Sequence, residues 1–227
     1  MAILPVEPEL RRVVSAALTL SAAVGVFALT FGVLAVSAGA SVLQTCALSA
    51  LTFTGASQMS AMGVIAAGGN VGGAVGGALL LAARNAVYGL AVAPHLRGSL
   101  GRRLVTAHFV IDETTAMLTA QTDPRTRRVA FWTTAIALFS CWNLGTLIGA
   151  LLGGSIDPQV YGLDVAFTAA YVAMLAPHLR TARGRQAAVA GGVICLALVP
   201  VTPIGLPILV AGLAIAVGVR PEQEQER

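Results

Sequence analysis

No lysine occurs anywhere in the 227 residues, so all 14 basic side chains are arginines. A Walker-type phosphate loop needs its lysine to reach the nucleotide phosphates, and Schiff-base chemistry needs a lysine amine. Both are excluded. Charge of either sign is scarce at 11% of residues, against about 25% in ordinary soluble domains. The three cysteines, Cys46, Cys141 and Cys195, stand alone in apolar stretches, with no CxxC pair and no zinc-ligand spacing. They read as small buried hydrophobes. No cofactor and no nucleic-acid partner is expected, nor an enzyme: His108, Asp112 and Glu113 could act as acid and base, but no nucleophile or metal set accompanies them.

What is there is apolar. Hydrophobic residues make up 56% of the chain, and the mean hydropathy is +0.82. A helix needs about 20 mostly apolar residues to cross the hydrocarbon core. Runs of suitable length cover Val13–Val36, Val42–Ala67, Val71–Ala93, Val129–Gly154 and Val160–Ala176. The stretch Ala187–Val219 is too long for one crossing and holds Pro200, Pro203 and Pro207, which predict two short helices near 187–199 and 204–219. The expected fold is all-α, a polytopic transmembrane helix bundle of about seven to eight helical segments, some of them broken or re-entrant. Residues 1–12 form a short N-terminal segment, 13–219 a single transmembrane domain and 220–227 a charged tail. The apolar run after Arg12 is longer than the core of a signal peptide, so a retained spanning helix is expected there.

Arginines gather at 11–12, 97–103, 125–128, 180–185 and 220, whereas the turns near Ser37–Ser41, Gly68–Asn70 and Ser155–Pro158 contain none. Such asymmetry marks the cytoplasmic side. Leu104–Gln121 has basic residues beyond both ends and is interrupted by His108, Asp112 and Glu113, so it is read as re-entrant or partly interfacial with both ends cytoplasmic. Three apolar segments then lie between Arg12 and Arg97, an odd number between two basic ends. Either the N-terminus is outside or one segment is broken and does not cross. The best candidate for the broken one is Val42–Ala67, with Thr54, Gly55, Ser57 and Gln58 at its centre.

Polar groups within lipid are costly and by default mark a pathway. A helix broken at Gly55 would expose backbone amides and carbonyls suited to an amino acid's carboxylate and ammonium; the alternative is a packed helix with Ser57 bonded to its own backbone. Arg84, with Tyr88 one turn on and Asn85 beside it, can fork onto a substrate carboxylate or onto an internal acid such as Asp112 or Asp164. On a continuous helix His108, Asp112 and Thr115 share a face, and such groups can exchange protons in an apolar site; the alternative is a solvated surface segment. The glycines at 68–77 form a small-residue ladder for helix packing. Asp164, after Gly162, is either a further proton-handling group or a helix cap. Arg84, Asp112 and Gln58 are expected to line one watery crevice. The sequence Ala93-Pro94-His95-Leu96-Arg97 recurs at 176–180, a trace of duplication or a shared helix-end chemistry.

Phe53-Thr54-Gly55-Ala56-Ser57-Gln58, Arg84 with Tyr88, Ala93-Pro94, Asp112-Glu113-Thr114, Trp142 with Gly145-Thr146 and Gly149, and Gly162-Leu163-Asp164 occur in this order. As an ordered set they resemble the AzlC family of bacterial branched-chain amino-acid exporters, over most of the chain. Ala82 departs from the family pattern, which often has Asn two residues before the intramembrane arginine. The resemblance implies a multi-pass permease of the bacterial cytoplasmic membrane, working with a small multi-spanning AzlD-like subunit. It implies export of valine, leucine, isoleucine or other neutral hydrophobic solutes. Proton coupling through His108, Asp112, Glu113 and Asp164, with substrate contacts from Gly55, Ser57, Gln58, Arg84, Asn85 and Tyr88, is the expected mechanism. The alternative is the membrane subunit of an ATP-driven permease with a separate ATPase.

Overall fold

Small residues set the frame of the molecule, because they let two long helices meet backbone to backbone. The computed structural model describes residues 8–153, 172, 175–176, 178–202 and, apart from the side chains of 208 and 209, 206–214. Helix α1 (Pro8–Ser37) buries Val13, Ala17, Ser21, Gly25, Ala28, Gly32 and Ala35 along one seam. Helix α8 (Pro124–Leu152) buries Thr126, Ala130, Thr134, Leu138, Trp142, Gly145 and Gly149 along another. Steps of three and four residues keep each seam facing its partner. A Cβ at Gly25 would lie 2.7 Å from the Cβ of Cys141. One at Gly145 would meet the carbonyl oxygen of Gly25, and one at Gly149 the carbonyl oxygen of Leu29. Contacts advance together along both chains, from Gly25 with Cys141 to Val33 with Gly153. The two helices are therefore parallel, and Arg11–Arg12 and Arg125–Arg128 lie at the same end of the molecule.

Between them the chain is repeatedly interrupted. Helix α2 (Val42–Thr52) starts from a reciprocal cap in which Ser41 and Gln44 bond each other's backbone N–H. It stops at Phe53, and α3 (Gly55–Ala66) begins after an extended Thr54. The expected break at Gly55 is therefore present. Gly68, at φ +82°, turns the chain, and Asn70 caps α4 (Val71–Ala82), which packs back on α3. A turn at Ala83 separates α4 from α5 (Arg84–Val92). Helix α6 (Leu100–His108) ends where Phe109–Ile111 leave the helix, and α7 (Asp112–Thr119) starts anew. One hydroxyl fastens that interruption: Thr114 Oγ1 donates to the Phe109 carbonyl at 2.7 Å and accepts from the Ile111 N–H at 3.1 Å. Asp123 caps α8, and the Thr126 amide above all, with the Thr126 hydroxyl and the Arg125 amide, holds its carboxyl below the usual carboxylate range.

The C-terminal apolar stretch is split at its prolines, as predicted, into α9 (Ala182–Leu198) and α10 (Leu206–Ala211), and α10 packs against α4. Among the described residues, three helical stretches are long and apolar enough to span a bilayer: Pro8–Ser37, Val71–Val92 and Pro124–Leu152. The expected helix over Val160–Ala176 falls almost wholly outside the described residues, as do Gly162, Leu163 and Asp164; of the second copy of the repeat only Pro177 does.

One expectation needs correction. His108, Asp112 and Thr115 do not share the face of one helix, because α6 ends at His108 and α7 starts at Asp112. The 68–77 glycines do serve helix packing: Gly68 makes the turn, α4 packs on α3, and a Cβ at Gly77 would lie 3.2 Å from the Ser60 hydroxyl. The α1–α8 seam is closer still.

Candidate functional site

The α2–α3 and α6–α7 breaks meet, and the α4–α5 turn reaches the second of them. Phe53, in the α2–α3 break, packs its ring against Phe109 of the α6–α7 break at 5.9 Å between centroids. It also stacks on His108 at 6.0 Å and meets Phe139 of α8 edge-on at 5.0 Å. Arg84, the first residue after the α4–α5 interruption, forms an ion pair with Asp112, the first residue of α7, at 3.6 Å. Among the described residues, its carboxylate partner is Asp112. Two half-helices, α3 and α7, begin at this level, where the positive end of a helix dipole favours negative charge.

On one side of the aromatic cluster sits Gln58, which is 1% exposed. Its Nε2 donates to the carbonyls of Ser49, at 3.2 Å, and Leu48, at 3.4 Å. Its Oε1 accepts from the indole N–H of Trp142 at 3.0 Å. Ser57, also buried, shares a hydrogen bond with Thr54 at 3.3 Å. A Cβ at Gly55 would lie 2.7 Å from the indole ring of Trp142, so glycine there admits the tryptophan. Gln58 closes the broken α2–α3 segment by supplying donors to carbonyls near the α2 end and tying them to α8. Gln58→Leu deprives the Ser49 carbonyl, at the end of α2, and the indole N–H of the amide that meets them, each loss costing about 1–3 kcal/mol when buried. The expected result is a clear fall in the melting temperature of detergent-purified protein, larger than for Trp142→Phe.

On the other side lies the charged group. Arg84 and Asp112 are 29% and 36% exposed. Glu113 feels the charges of both Asp112 and Arg84. Tyr88, one turn after Arg84, lies within the fields of Asp112, Arg84 and Glu113 and packs against a core of Val92, Val110, Leu118, Phe131 and Ala135. Among the described residues, Arg84 Nε, Asn85 Oδ1 and Thr115 Oγ1 are buried without a hydrogen-bond partner, and α5 packs on α7, which carries Thr115. Buried polar atoms are nearly always bonded, so three unpaired ones on packed neighbours call for a ligand or water.

The structure thus brings Arg84, Tyr88, Asp112 and Glu113 together, with Asn85 beside Arg84 at the start of α5. Gly55, Ser57 and Gln58 lie instead in the closed joint beside Trp142, and the hydrogen bonds of Gln58 go there and not to the arginine. The expected common crevice is divided in two by the aromatic cluster, with Phe109 packed against the cores on both sides. His108 belongs to that cluster, its ring edge-on to Phe109 at 5.2 Å. Thr114 and Trp142 were quoted in the sequence only as family markers; their roles as clamp and anchor depend on partners that spacing does not disclose.

Comparison with known proteins agrees with a membrane protein. The chain is 30% identical over 192 residues to an uncharacterized membrane protein of Archaeoglobus fulgidus, covering 82% of this chain and 83% of that one. It is 26% identical over 175 residues to an uncharacterized membrane protein of Helicobacter pylori, covering 75% and 77%. No solved structure matches. Residues 19–156, which contain both broken segments, the Arg84–Asp112 pair and the α1–α8 seam, match the AzlC protein family, and the chain belongs to that family.

Proposed function

We propose that this chain is the large membrane subunit of a secondary transporter that exports branched-chain or other neutral hydrophobic amino acids, coupled to protons and assisted by a small AzlD-like subunit, in a bacterial cytoplasmic membrane. The observation that carries the reading is the set of unpaired polar atoms, Arg84 Nε, Asn85 Oδ1 and Thr115 Oγ1, beside a half-exposed ion pair. A zwitterion answers them: its carboxylate accepts from Arg84, and its ammonium donates to Asn85 and Thr115. The single 3.6 Å contact between Arg84 and Asp112 is loose enough for an arriving carboxylate to displace Asp112. A carboxylate deprived of its cation in an apolar site is then the group that takes up a proton. Glu113, adjacent on the same helix, passes that proton on. Gln58, Gly55 and Ser57 hold the neighbouring joint.

The parallel α1 and α8 support the sidedness this requires. With basic ends inside, α1 leaves the cytoplasm, α4–α5 returns to it, and α8 leaves again. The segments α2–α3 and α6–α7 each come back to the side they left, one from outside and one from inside, and their breaks meet at Phe53 and Phe109.

The test is accumulation of labelled leucine by inverted vesicles containing the chain and its small subunit. Accumulation driven by an imposed proton gradient, abolished by a protonophore and absent with Asp112→Asn, is expected. Accumulation that ignores the gradient but needs ATP would overturn the coupling.

A further inference from the structure

Below the charged group, where α5 turns into α6, lies a second site that the transport reading does not use. A cavity of about 400 Å³ opens there. Val92, Leu96 and Val110 contribute to its apolar walls, and Arg97 and Arg103 line it. Both arginines are exposed, and among the described residues neither pairs with a carboxylate. Arg127, by contrast, is engaged, with its Nε donating to the Gln121 carbonyl and its Nη1 beside His95. Thr106 also lines the cavity and is 6% exposed, and among the described residues its hydroxyl has no hydrogen-bond partner.

We propose that this cleft binds the phosphate headgroup of an anionic phospholipid of the cytoplasmic leaflet. Two guanidinium groups present forks that match phosphate oxygens, and the Thr106 hydroxyl offers a further donor from the wall. The place also suits a lipid. Leu100 and Leu104, one turn apart on α6, are 70% and 64% exposed on a helix that also carries Arg102 and Arg103. Such a short amphipathic helix lies in the membrane interface, at the level of the headgroups. The exposed Val87 and Leu90 of α5 give the acyl chains an apolar surface to follow. A basic pocket between helices on the cytoplasmic side is the usual setting for an anionic headgroup. The cleft reaches Val110, within the α6–α7 break, so an occupant would brace that interruption from below. The site stands independently of which solute is carried.

Native mass spectrometry of the detergent-purified protein tests it, with phosphatidylglycerol and phosphatidylethanolamine of identical acyl chains. Wild-type protein is expected to retain phosphatidylglycerol in preference. Each arginine near a membrane surface contributes about a fivefold gain, so Arg97→Gln with Arg103→Gln should weaken retention about 30-fold. Gly89→Leu is the second variant: Gly89 lines the cleft and a Cβ there meets nothing within 4 Å, so a larger side chain has open space to enter. It too should lose the lipid, with an unchanged melting temperature in lipid-free detergent. Equal retention of the two lipids overturns the proposal, as does wild-type retention by either variant. Displacement of the lipid by millimolar inorganic phosphate would reassign the site to a free anion, and displacement by leucine to the transported solute; either also overturns it.

Discussion

Gly149→Ala is expected to lower the melting temperature of the detergent-purified protein by roughly 3–10 °C, although it adds one methyl group and improves helix propensity. The reason is the parallel seam of α1 and α8. A Cβ at Gly149 would overlap the carbonyl oxygen of Leu29 and lie 2.9 Å from its Cα. Those are backbone atoms of a 30-residue helix, which cannot swing aside as the end of a long side chain can. The two helices must separate along their length, and in lipid their association depends on close packing because no hydrophobic drive brings them together. Overpacking of this kind costs about 1–3 kcal/mol. Gly63→Ala is the matched control: Gly63 is exposed on α3, and its Cβ would meet nothing within 4 Å. There the helix-propensity gain of about 1 kcal/mol acts alone, and the midpoint should hold or rise. Equal midpoints for the two variants would show that the seam is not the frame of the bundle.

That seam illustrates what the sequence disclosed and what it withheld. The visible ladder at 68–77 drew attention because its glycines are adjacent, yet the closest approach is made by Gly25, Gly32, Gly145 and Gly149, spread over two distant helices. The break at Thr54–Gly55 was legible, since a polar cluster and a glycine interrupt an apolar run there. The split before α10 was legible from its prolines. The break at Phe109–Ile111 carries neither glycine nor proline. It is fixed by the Thr114 hydroxyl and by acids in the first turn of α7, a favourable charge for a helix start. Read as continuous helix, that stretch placed His108 with Asp112, whereas His108 stacks on Phe53. Gln58 looked available because its partner Trp142 lies 84 residues away. Arg84 and Asp112 were recognisable as a candidate pair because intramembrane charges need partners, but their contact depends on where the α6–α7 break sets Asp112.

Arg84→Gln and Asp112→Asn are each expected to reduce proton-driven leucine accumulation by at least about tenfold, and the double variant is expected not to recover it. The pair sets up two opposed outcomes. Breaking a fully buried ion pair costs about 3–5 kcal/mol, since the remaining charge is stranded. With the side chains 29% and 36% exposed, solvent screening brings the expected cost of each single change to about 1–2 kcal/mol. In the double variant two neutral amides of similar shape face each other and no charge is stranded, so the melting temperature should return toward that of the wild type. If the pair only held α5 against α7, transport would return with it. In the proposed cycle Arg84 must instead release Asp112 to take a carboxylate, and Asp112 must then carry a proton, which neither amide can do. Stability restored without transport is therefore the expected signature, read from melting curves and vesicle accumulation on the same preparations. A double variant that transports leucine at the wild-type rate would reduce the pair to a strut and move the proton to another group.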